Sequence, residues 1–221
     1  MTSTDALTSA APTTRAPGSG QVTGGIDGGS AAQQERRKRI LGATIALASA
    51  GGFDAVQMRT VADRADVALG TLYRYFPSKI HLLVSALAGE LEQVNANLDR
   101  KPVPGGSPAE RVRYVLGRTT RALQQDPNLT EALTRAFMFA DASVAGEIDV
   151  VARQVDRMLM RAMHGPDTPG AGGEPTADES AIAKVIGDVW LASLVQWVTG
   201  RASATDVGSS LDVAVRLLLR G

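Results

Sequence analysis

The residues of this chain best suited to chemistry are polar donors and aromatic rings crowded into one short segment. The segment carries a hydroxyl, two phenols, a guanidinium and an ammonium group, on Thr71, Tyr73, Arg74, Tyr75 and Lys79. Groups of this kind donate hydrogen bonds to phosphate oxygens and base edges, and their apolar parts contact thymine methyl groups. The chemistry predicted is therefore recognition of a nucleic acid.

Patterns typical of catalysis and metal binding are missing from the sequence. The chain has no cysteine, and its two histidines, His81 and His164, lie far apart. It has no Gly-x-Ser-x-Gly motif, no P-loop and no dinucleotide-binding glycine pattern. Acidic pairs such as Asp178-Glu179 indicate helix caps. We therefore predict that the protein is not an enzyme and uses no cofactor or metal.

Positive charge is concentrated locally, although the formal net charge of the chain is zero. Residues 33–80 contain eight basic and four acidic residues, and a run of basic residues includes Arg36, Arg37 and Arg39. Basic groups at the start of a helix oppose its dipole, which favours an external anion as their partner. We expect this run to contact DNA, although a merely solvated helix start is the alternative.

Two short predicted helices, 58–65 and 69–75, position the donor segment. They are joined by a tight turn at 66–68, and apolar residues recur at helical spacing along both: Val61, Ala62, Ala65, Val67, Leu72 and Phe76. Two short helices that cross around a small apolar contact are typical of a helix-turn-helix. In that motif the second helix enters the major groove of DNA.

The periodicity elsewhere is helical and predicts an all-α fold with no strands. We predict about nine helices, at 34–50, 58–65, 69–75, 78–99, 108–125, 127–140, 143–163, 177–199 and 204–219. Residues 1–32 are predicted to be a disordered tail, 33–80 a DNA-binding domain, and 81–221 a ligand-binding and dimerisation bundle with a mobile loop at 164–177. We find no apolar run near 18 residues and no signal peptide, and therefore expect a cytoplasmic protein without a membrane span.

Large, soft side chains in the bundle are candidates for a ligand pocket. Ordinary core packing is the alternative for each of these residues, which are Phe137, Met138, Phe139, Met158, Met163, Trp190 and Trp197. Methionine adapts to irregular shapes, and helical bundles hold ligands between their helices. The many alanines and glycines among these helices would leave room for a bulky guest.

The donor segment also carries a family resemblance. Val61-Ala62-Asp63-Arg64-Ala65, followed by Gly70-Thr71-Leu72-Tyr73-Arg74-Tyr75-Phe76-Pro77-Ser78-Lys79, closely resembles the TetR family of bacterial repressors. The resemblance implies a homodimer, formed by the last two helices, that binds palindromic double-stranded operator DNA. Two departures are Asp66, where the family usually has glycine, and Leu69-Gly70, where many members have polar residues.

The resemblance also implies roles for individual residues. Tyr73 and Tyr75 would contact phosphates or base methyls, and Gly70 and Thr71 would approach the floor of the groove. Lys79, at the start of the fourth helix, would hold a phosphate with help from the helix dipole. The remaining contacts of the predicted set would come from Arg59, to backbone or base, and from Arg74. The basic run at Arg36, Arg37 and Arg39 would reach flanking phosphates or a minor groove.

Several further segments resemble one branch of this family, the repressors of cholesterol and ketosteroid catabolism in actinobacteria. These segments are 34–41, 55–59, 76–83 and 201–207. The resemblance implies that the inducer is a CoA thioester of an early cholesterol side-chain metabolite. Two alternatives stay open: a TetR-type regulator of another ligand, such as a drug or a fatty acyl-CoA, and a helical scaffold that binds no DNA.

Overall fold

The computed structural model describes residues 26–165 and 175–220, and within these ranges it contains nine α-helices, one short 3₁₀ turn and no strand. The helices are α1 (Ile26–Ala55), α2 (Met58–Arg64), α3 (Leu69–Tyr75), α4 (Lys79–Arg100), α5 (Pro108–Gln125), α6 (Pro127–Met138), α7 (Ala145–His164), α8 (Ala177–Val198) and α9 (Ala204–Leu218), with the 3₁₀ turn at Ala142–Val144. The all-α prediction is confirmed. We call α1–α3 the head and α4–α9 the body.

Helix α1 differs from its prediction at both ends. It begins at Ile26, so residues 26–32 are helical although their composition predicted a disordered tail. Ala31 and Ala32 favour a helix once one continues after them, which the tail's average composition conceals. Residues 1–25, the rest of that predicted tail, lie outside the described residues. At the other end, Gly51 and Gly52 leave the helical conformation, in agreement with the predicted helix end at residue 50, and one further turn follows.

The head packs around a small core. Ile40 of α1, Val61 of α2 and Leu72 of α3 are fully buried, and Phe76 closes the cluster after α3. The predicted limits of α3 are those observed. Helix α4 begins next, where the Ser78 hydroxyl accepts a hydrogen bond from the backbone N–H of His81. The head is therefore joined directly to α4, one of the two longest helices of the body.

Four of the body helices begin at capping residues that the sequence shows. The hydroxyls of Ser107, Thr176 and Ser203 and the carboxylate of Asp126 each accept a backbone N–H at the start of α5, α8, α9 and α6. These caps confirm the predicted starts of the four helices. Helix α7 packs on α4, α5 and α8, while α9 packs on α5 and α8. This arrangement makes α7 a central helix of the body.

The end of α7 is held by a buried arginine. Arg111 donates to the carbonyl oxygens of Ala162 at 2.8 Å and Met163 at 2.6 Å. These carbonyls belong to the last turn of α7, where a positive charge is favourable. His164 ends α7 and Ala177 begins α8, so the ends of the loop predicted at 164–177 are helical. Residues 166–174 of that loop lie outside the described residues.

Helix α8 has an unusual composition. It is the one helix in the described ranges that is long and apolar enough to cross a membrane by length and composition alone. The sequence analysis did not single out this helix, because Lys184 and Asp188 interrupt its apolar stretch. Those two residues form an ion pair of 2.7 Å on the exposed side of the helix, and α8 packs against α7 and α9.

Candidate nucleic-acid interface and ligand cavity

The turn between α2 and α3 sets the orientation of α3. Asp66 has a φ of 52°, and it is the one non-glycine residue with positive φ in the described ranges. The next residue, Val67, donates its N–H to the carbonyl of Ala62 at 3.0 Å. Asp adopts this left-handed conformation more readily than most residues. The turn expected from the helix-turn-helix pattern is therefore present without the usual glycine.

One face of α3 is open to solvent. Tyr73 is 46% exposed, Arg74 and Gly70 are exposed, and Thr71 is half-buried. A Cβ atom added at Gly70 would meet nothing within 4 Å. The fold itself does not require glycine at that position. The missing side chain instead leaves space in front of α3 for the approach of a large partner.

Tyr75 is less available than the sequence predicted. It is half-buried against the core, its hydroxyl accepts a hydrogen bond of 3.4 Å from Nη1 of Arg36, and its ring centroid lies 6.3 Å from that of Phe76. The guanidinium of Arg37 lies 5.6 Å from the centroid of the Phe76 ring. These contacts bring the basic run of α1 alongside the end of α3.

The other predicted arginines are more exposed. Arg39 forms a long ion pair of 3.9 Å with the fully exposed side chain of Asp66, and exposed pairs of this kind contribute little to stability. Arg59 is exposed at the start of α2. Both groups are therefore free to exchange their present surroundings for a phosphate.

Lys79 does not simply point outward from the start of α4. Its ammonium nitrogen lies 3.8 Å from the centroid of the Phe53 ring, and the guanidinium of Arg135 lies 4.5 Å from the same centroid. Burial lowers the pKa of Lys79, and the nearby carboxylate of Asp54 acts in the opposite direction. Both cations gain from the electron-rich face of the ring. The sequence prediction of a free phosphate clamp missed this aromatic anchor.

Helix α6 also holds the end of α1 with polar contacts. A carboxylate oxygen of Glu131 accepts the backbone N–H of Phe53 at 2.9 Å, and Asn128 donates to the carbonyl of Ser49 at 3.0 Å. Gly52, with φ of 69°, lies so close that an added Cβ would stand 3.0 Å from the Glu131 carboxylate. The corner of α1 and one face of α6 therefore fit against each other.

A second tie between head and body runs through His81. Its Nε2 lies 3.0 Å from the carbonyl oxygen of Ser143, and its Nδ1 lies 2.9 Å from the hydroxyl of Ser78. A carbonyl only accepts, so Nε2 carries a proton and donates. This buried histidine thus fixes the start of α4 to the segment between α6 and α7.

The body contains a partly open cavity of about 610 Å³ between α4, α5, α6, α7 and α8. Phe137 and Trp190, two of the predicted ligand residues, line it. The indole N–H of Trp190 donates to the hydroxyl of Thr120 at 3.0 Å, which fixes the ring. Four small residues also line the cavity, as the abundance of alanine and glycine suggested: Ala122, Ala152, Ala183 and Gly187.

The other five predicted ligand residues do not line this cavity. Met158 is fully buried and Met163 nearly so in the core, and Trp197 packs against that core. Met138 and Phe139 are exposed, Phe139 to 64%, because α6 ends at Met138 and the chain turns outward there. Residue type alone did not separate core, surface and cavity positions.

The sequence analysis missed several cavity residues. Leu87 and Leu91 line the cavity from α4, and Leu129 and Leu133 line it from α6 together with Phe137. The spacing of four residues on α6 marks one apolar face. Whether such a face meets a cavity or a packed neighbour depends on the packing of five helices, which spacing does not reveal.

Comparison with known proteins identifies the family. A model of bacterial regulatory proteins of the tetR family matches residues 40–86, and a model of tetracyclin repressor-like C-terminal domains matches residues 105–218. The chain belongs to the TetR family. The second match covers the larger part of the body, and the first covers most of the head.

Individual TetR-family proteins are similar over most of the chain. The HTH-type transcriptional repressor KstR of Mycolicibacterium smegmatis is 60% identical over 86% of this chain and 90% of its own length. A crystal structure of a TetR transcriptional regulator from Rhodococcus sp. RHA1 matches with a TM-score of 0.76 and 31% identity, over 86% of this chain and 98% of that one. The close resemblance to KstR expected from the sequence segments is confirmed.

A more distant structure shares the fold. FadR of Thermus thermophilus, a TetR-family repressor solved with lauroyl-CoA, matches with a TM-score of 0.64 and 20% identity, over 84% of this chain and 94% of that one.

The family membership makes this chain a regulatory DNA-binding protein and not an enzyme, as predicted. The alternative of a scaffold without DNA binding is therefore wrong.

Proposed function

We propose that this TetR-family repressor controls genes of cholesterol and steroid catabolism in the cytoplasm and is released from its operator by a steroid-derived acyl-CoA. The observation that carries the proposal is the 60% identity to KstR over 90% of that protein. The family branch inferred from sequence segments in both head and body leads to the same ligand class. The domain limits 33–80 and 81–221 belong to this proposal as well.

The exposed face of α3 is the proposed base-reading surface. Tyr73 and Arg74 extend from it, and the bare backbone at Gly70 allows close approach to the groove, with Thr71 and Tyr75 beside them. The proposed phosphate contacts surround this face, on Arg36, Arg37, Arg39, Arg59 and Lys79. For Lys79, contact with a phosphate would require its ammonium group to leave the Phe53 ring.

We propose a dimer formed through α8 and α9. Val185, Val213 and Leu217 are large apolar residues that remain about half exposed on these helices, and most of the apolar stretch of α8 is not buried within a single chain. Exposed apolar surface on two neighbouring helices is typical of an interface with a partner. A twofold dimer would present two copies of α3 to the two halves of a palindrome.

The proposed inducer site is the cavity of the body. A volume of about 610 Å³ lies within the range of sites that bind drug-sized molecules, roughly 300–1,000 Å³. Its apolar walls suit a steroid or a fatty acyl group. The fatty acyl-CoA alternative draws support from FadR of T. thermophilus, which binds lauroyl-CoA on the same fold.

Helix α6 offers a physical route from ligand to DNA. Leu133 and Phe137 line the cavity on one side of the helix, while Asn128 and Glu131 hold the corner of α1 on the other side. A ligand that shifts α6 would therefore shift the head. Because DNA binding requires one arrangement of two heads, a ligand that prefers another arrangement weakens DNA binding by linkage.

The test is a titration of the operator complex with candidate inducers. A fluorescent palindromic promoter fragment is bound by the protein, and its anisotropy is followed as a cholestenoic acid CoA thioester, lauroyl-CoA or free CoA is added. We expect release by the steroid thioester at the lowest concentration and none by free CoA. Release by lauroyl-CoA alone would favour the fatty acyl-CoA alternative, and no release by either thioester would refute the proposed inducer class.

A further inference from the structure

Three threonines line the otherwise mainly apolar cavity, and one of them differs from the others. Thr119 donates its hydroxyl to the carbonyl of Val115 at 2.9 Å, and Thr130 donates to the carbonyl of Leu123 at 2.7 Å. The first bond is the one that threonine commonly makes within a helix, and the second joins α6 to the end of α5. Thr134, on α6, makes no hydrogen bond to any other described residue although it is only 7% exposed.

Thr134 is nine-tenths buried and lines the cavity. Its hydroxyl does not belong to the sealed side-chain atoms without a partner, which in the described ranges are atoms of Asn95 and Arg113. The oxygen therefore retains accessible surface. We assign that surface to the cavity, because Thr134 lines it together with its neighbour Leu133 and with Phe137.

A hydroxyl that has no partner in the protein but keeps accessible surface can pair with water or with a bound ligand. Rotation to the carbonyl four residues earlier would satisfy Thr134 as it does Thr119, yet this bond is not made. Glu90 of α4 also lines the cavity, and burial raises the pKa of its carboxyl group. The cavity thus has polar groups that a plain hydrocarbon ligand would leave unsatisfied.

We infer that Thr134 is a specificity-determining residue that selects a ligand with an oxygen function, a ketone or hydroxyl, on its buried apolar part. The inference rests on the proposed function of the cavity as the inducer site. A hydroxyl both donates and accepts, so it suits either oxygen function. A site that pairs with a ligand oxygen discriminates against the analogue that lacks it, because the protein group is then left unpaired. Thr134 would thereby separate oxygenated steroids from simple fatty acyl chains.

The test compares two CoA thioesters that differ by one oxygen atom: that of 3-oxo-cholest-4-enoic acid and that of cholest-4-enoic acid. Binding to the full chain is followed by the fluorescence of Trp190, which lines the cavity, in a Trp197→Phe background. We expect the oxo ligand to bind about tenfold more tightly, the equivalent of one charge-neutral hydrogen bond. In Thr134→Val, which keeps the shape, the preference disappears because the oxo ligand alone is weakened.

Two further variants serve as controls for this experiment. Thr134→Ser restores the hydroxyl and should restore the preference, while Thr130→Val removes a hydroxyl that already has a partner and should leave the preference intact. The inference is overturned if Thr134→Val weakens both ligands equally, or if wild-type protein does not distinguish them. It is also overturned if Thr134→Ser, in a folded protein, behaves like the valine variant.

Release of operator DNA is measured in parallel, which separates this inference from the proposed function. A Thr134-dependent preference without DNA release would support the role of Thr134 and refute the proposed inducer function. Release by both thioesters at equal concentration would refute the role of Thr134 alone. If wild-type protein binds neither thioester, both the inference and the proposed inducer class are wrong.

Discussion

The candidate DNA site of the head and the cavity of the body are assembled from the chain in different ways. The candidate DNA contacts come from residues 36–79, and half of them lie on the seven residues of α3. The cavity is lined by five helices that extend from Leu87 to Leu194. The residues of a surface on one helix lie close together in the sequence. The residues that line a cavity come from several helices that leave space between them. The first kind of site is therefore visible in a sequence, and the second largely depends on packing.

The largest expected effect is the loss of DNA binding when the exposed groups of α3 are removed. We expect the double variant Tyr73→Ala/Arg74→Ala to bind operator roughly 100-fold more weakly, since each good base or phosphate contact is worth about 1–3 kcal/mol. Both side chains are exposed, so the midpoint of thermal unfolding should not change. Fluorescence anisotropy and differential scanning calorimetry measure the two quantities.

The matched control is Arg118→Ala, which removes an exposed arginine from α5 of the body. It should leave operator affinity unchanged within about twofold, because an exposed charge farther from DNA than the screening length contributes little. An equal loss in the control would mean that affinity depends on total charge. The separation between a DNA-reading head and a ligand-binding body would then be incorrect.

The junction between the two regions supplies the next prediction. Glu131→Ala leaves the backbone N–H of Phe53 without its acceptor, and we expect it to lower the free energy of unfolding by about 2 kcal/mol. It should also raise the concentration of thioester needed to release operator, because the corner of α1 would follow α6 less closely. Urea unfolding and the anisotropy titration give the two readouts.

Two variants sharpen this prediction. Glu131→Gln keeps a carbonyl acceptor for Phe53 and should lose much less stability, although it weakens the ion pair with Arg135. Glu92→Ala changes an exposed glutamate of α4 and should affect neither readout. If Glu131→Ala is destabilised but responds to the thioester as wild type does, α6 holds the head without transmitting the ligand signal.

How much the sequence could predict follows the same division. The limits of α3 and α5 are as predicted because capping and apolar spacing act within a few residues. For the cavity, two of the seven predicted residues line it. Met158 has the flexible side chain expected of a pocket residue, yet it is fully buried in the core. A flexible apolar side chain suits a core, a cavity wall or an interface, and the packing of the helices decides in which of them it lies.

The junction of head and body also contains one contact that spacing could not predict. Lys79 follows a family-like motif and was expected at a phosphate, but its ammonium group lies on Phe53, 26 positions earlier in the chain. Arg135, which contacts the same ring, comes from the body. Local sequence shows which groups are available to DNA. The groups that compete with DNA for them come from distant parts of the chain.

The smallest predicted effect concerns the turn that orients α3. At Asp66, with φ of 52°, an alanine is strained by the left-handed conformation, and Asp66→Ala should lower the free energy of unfolding by about 1 kcal/mol. Glycine has no such strain but has more freedom in the unfolded chain. Asp66→Gly should therefore be almost neutral. Urea unfolding of both variants tests this, with Asp63→Ala, an exposed change on α2, as control. Equal stability of the alanine and glycine variants would mean that the backbone relaxes at this turn, and α3 would then be oriented by its buried face at Leu72 instead.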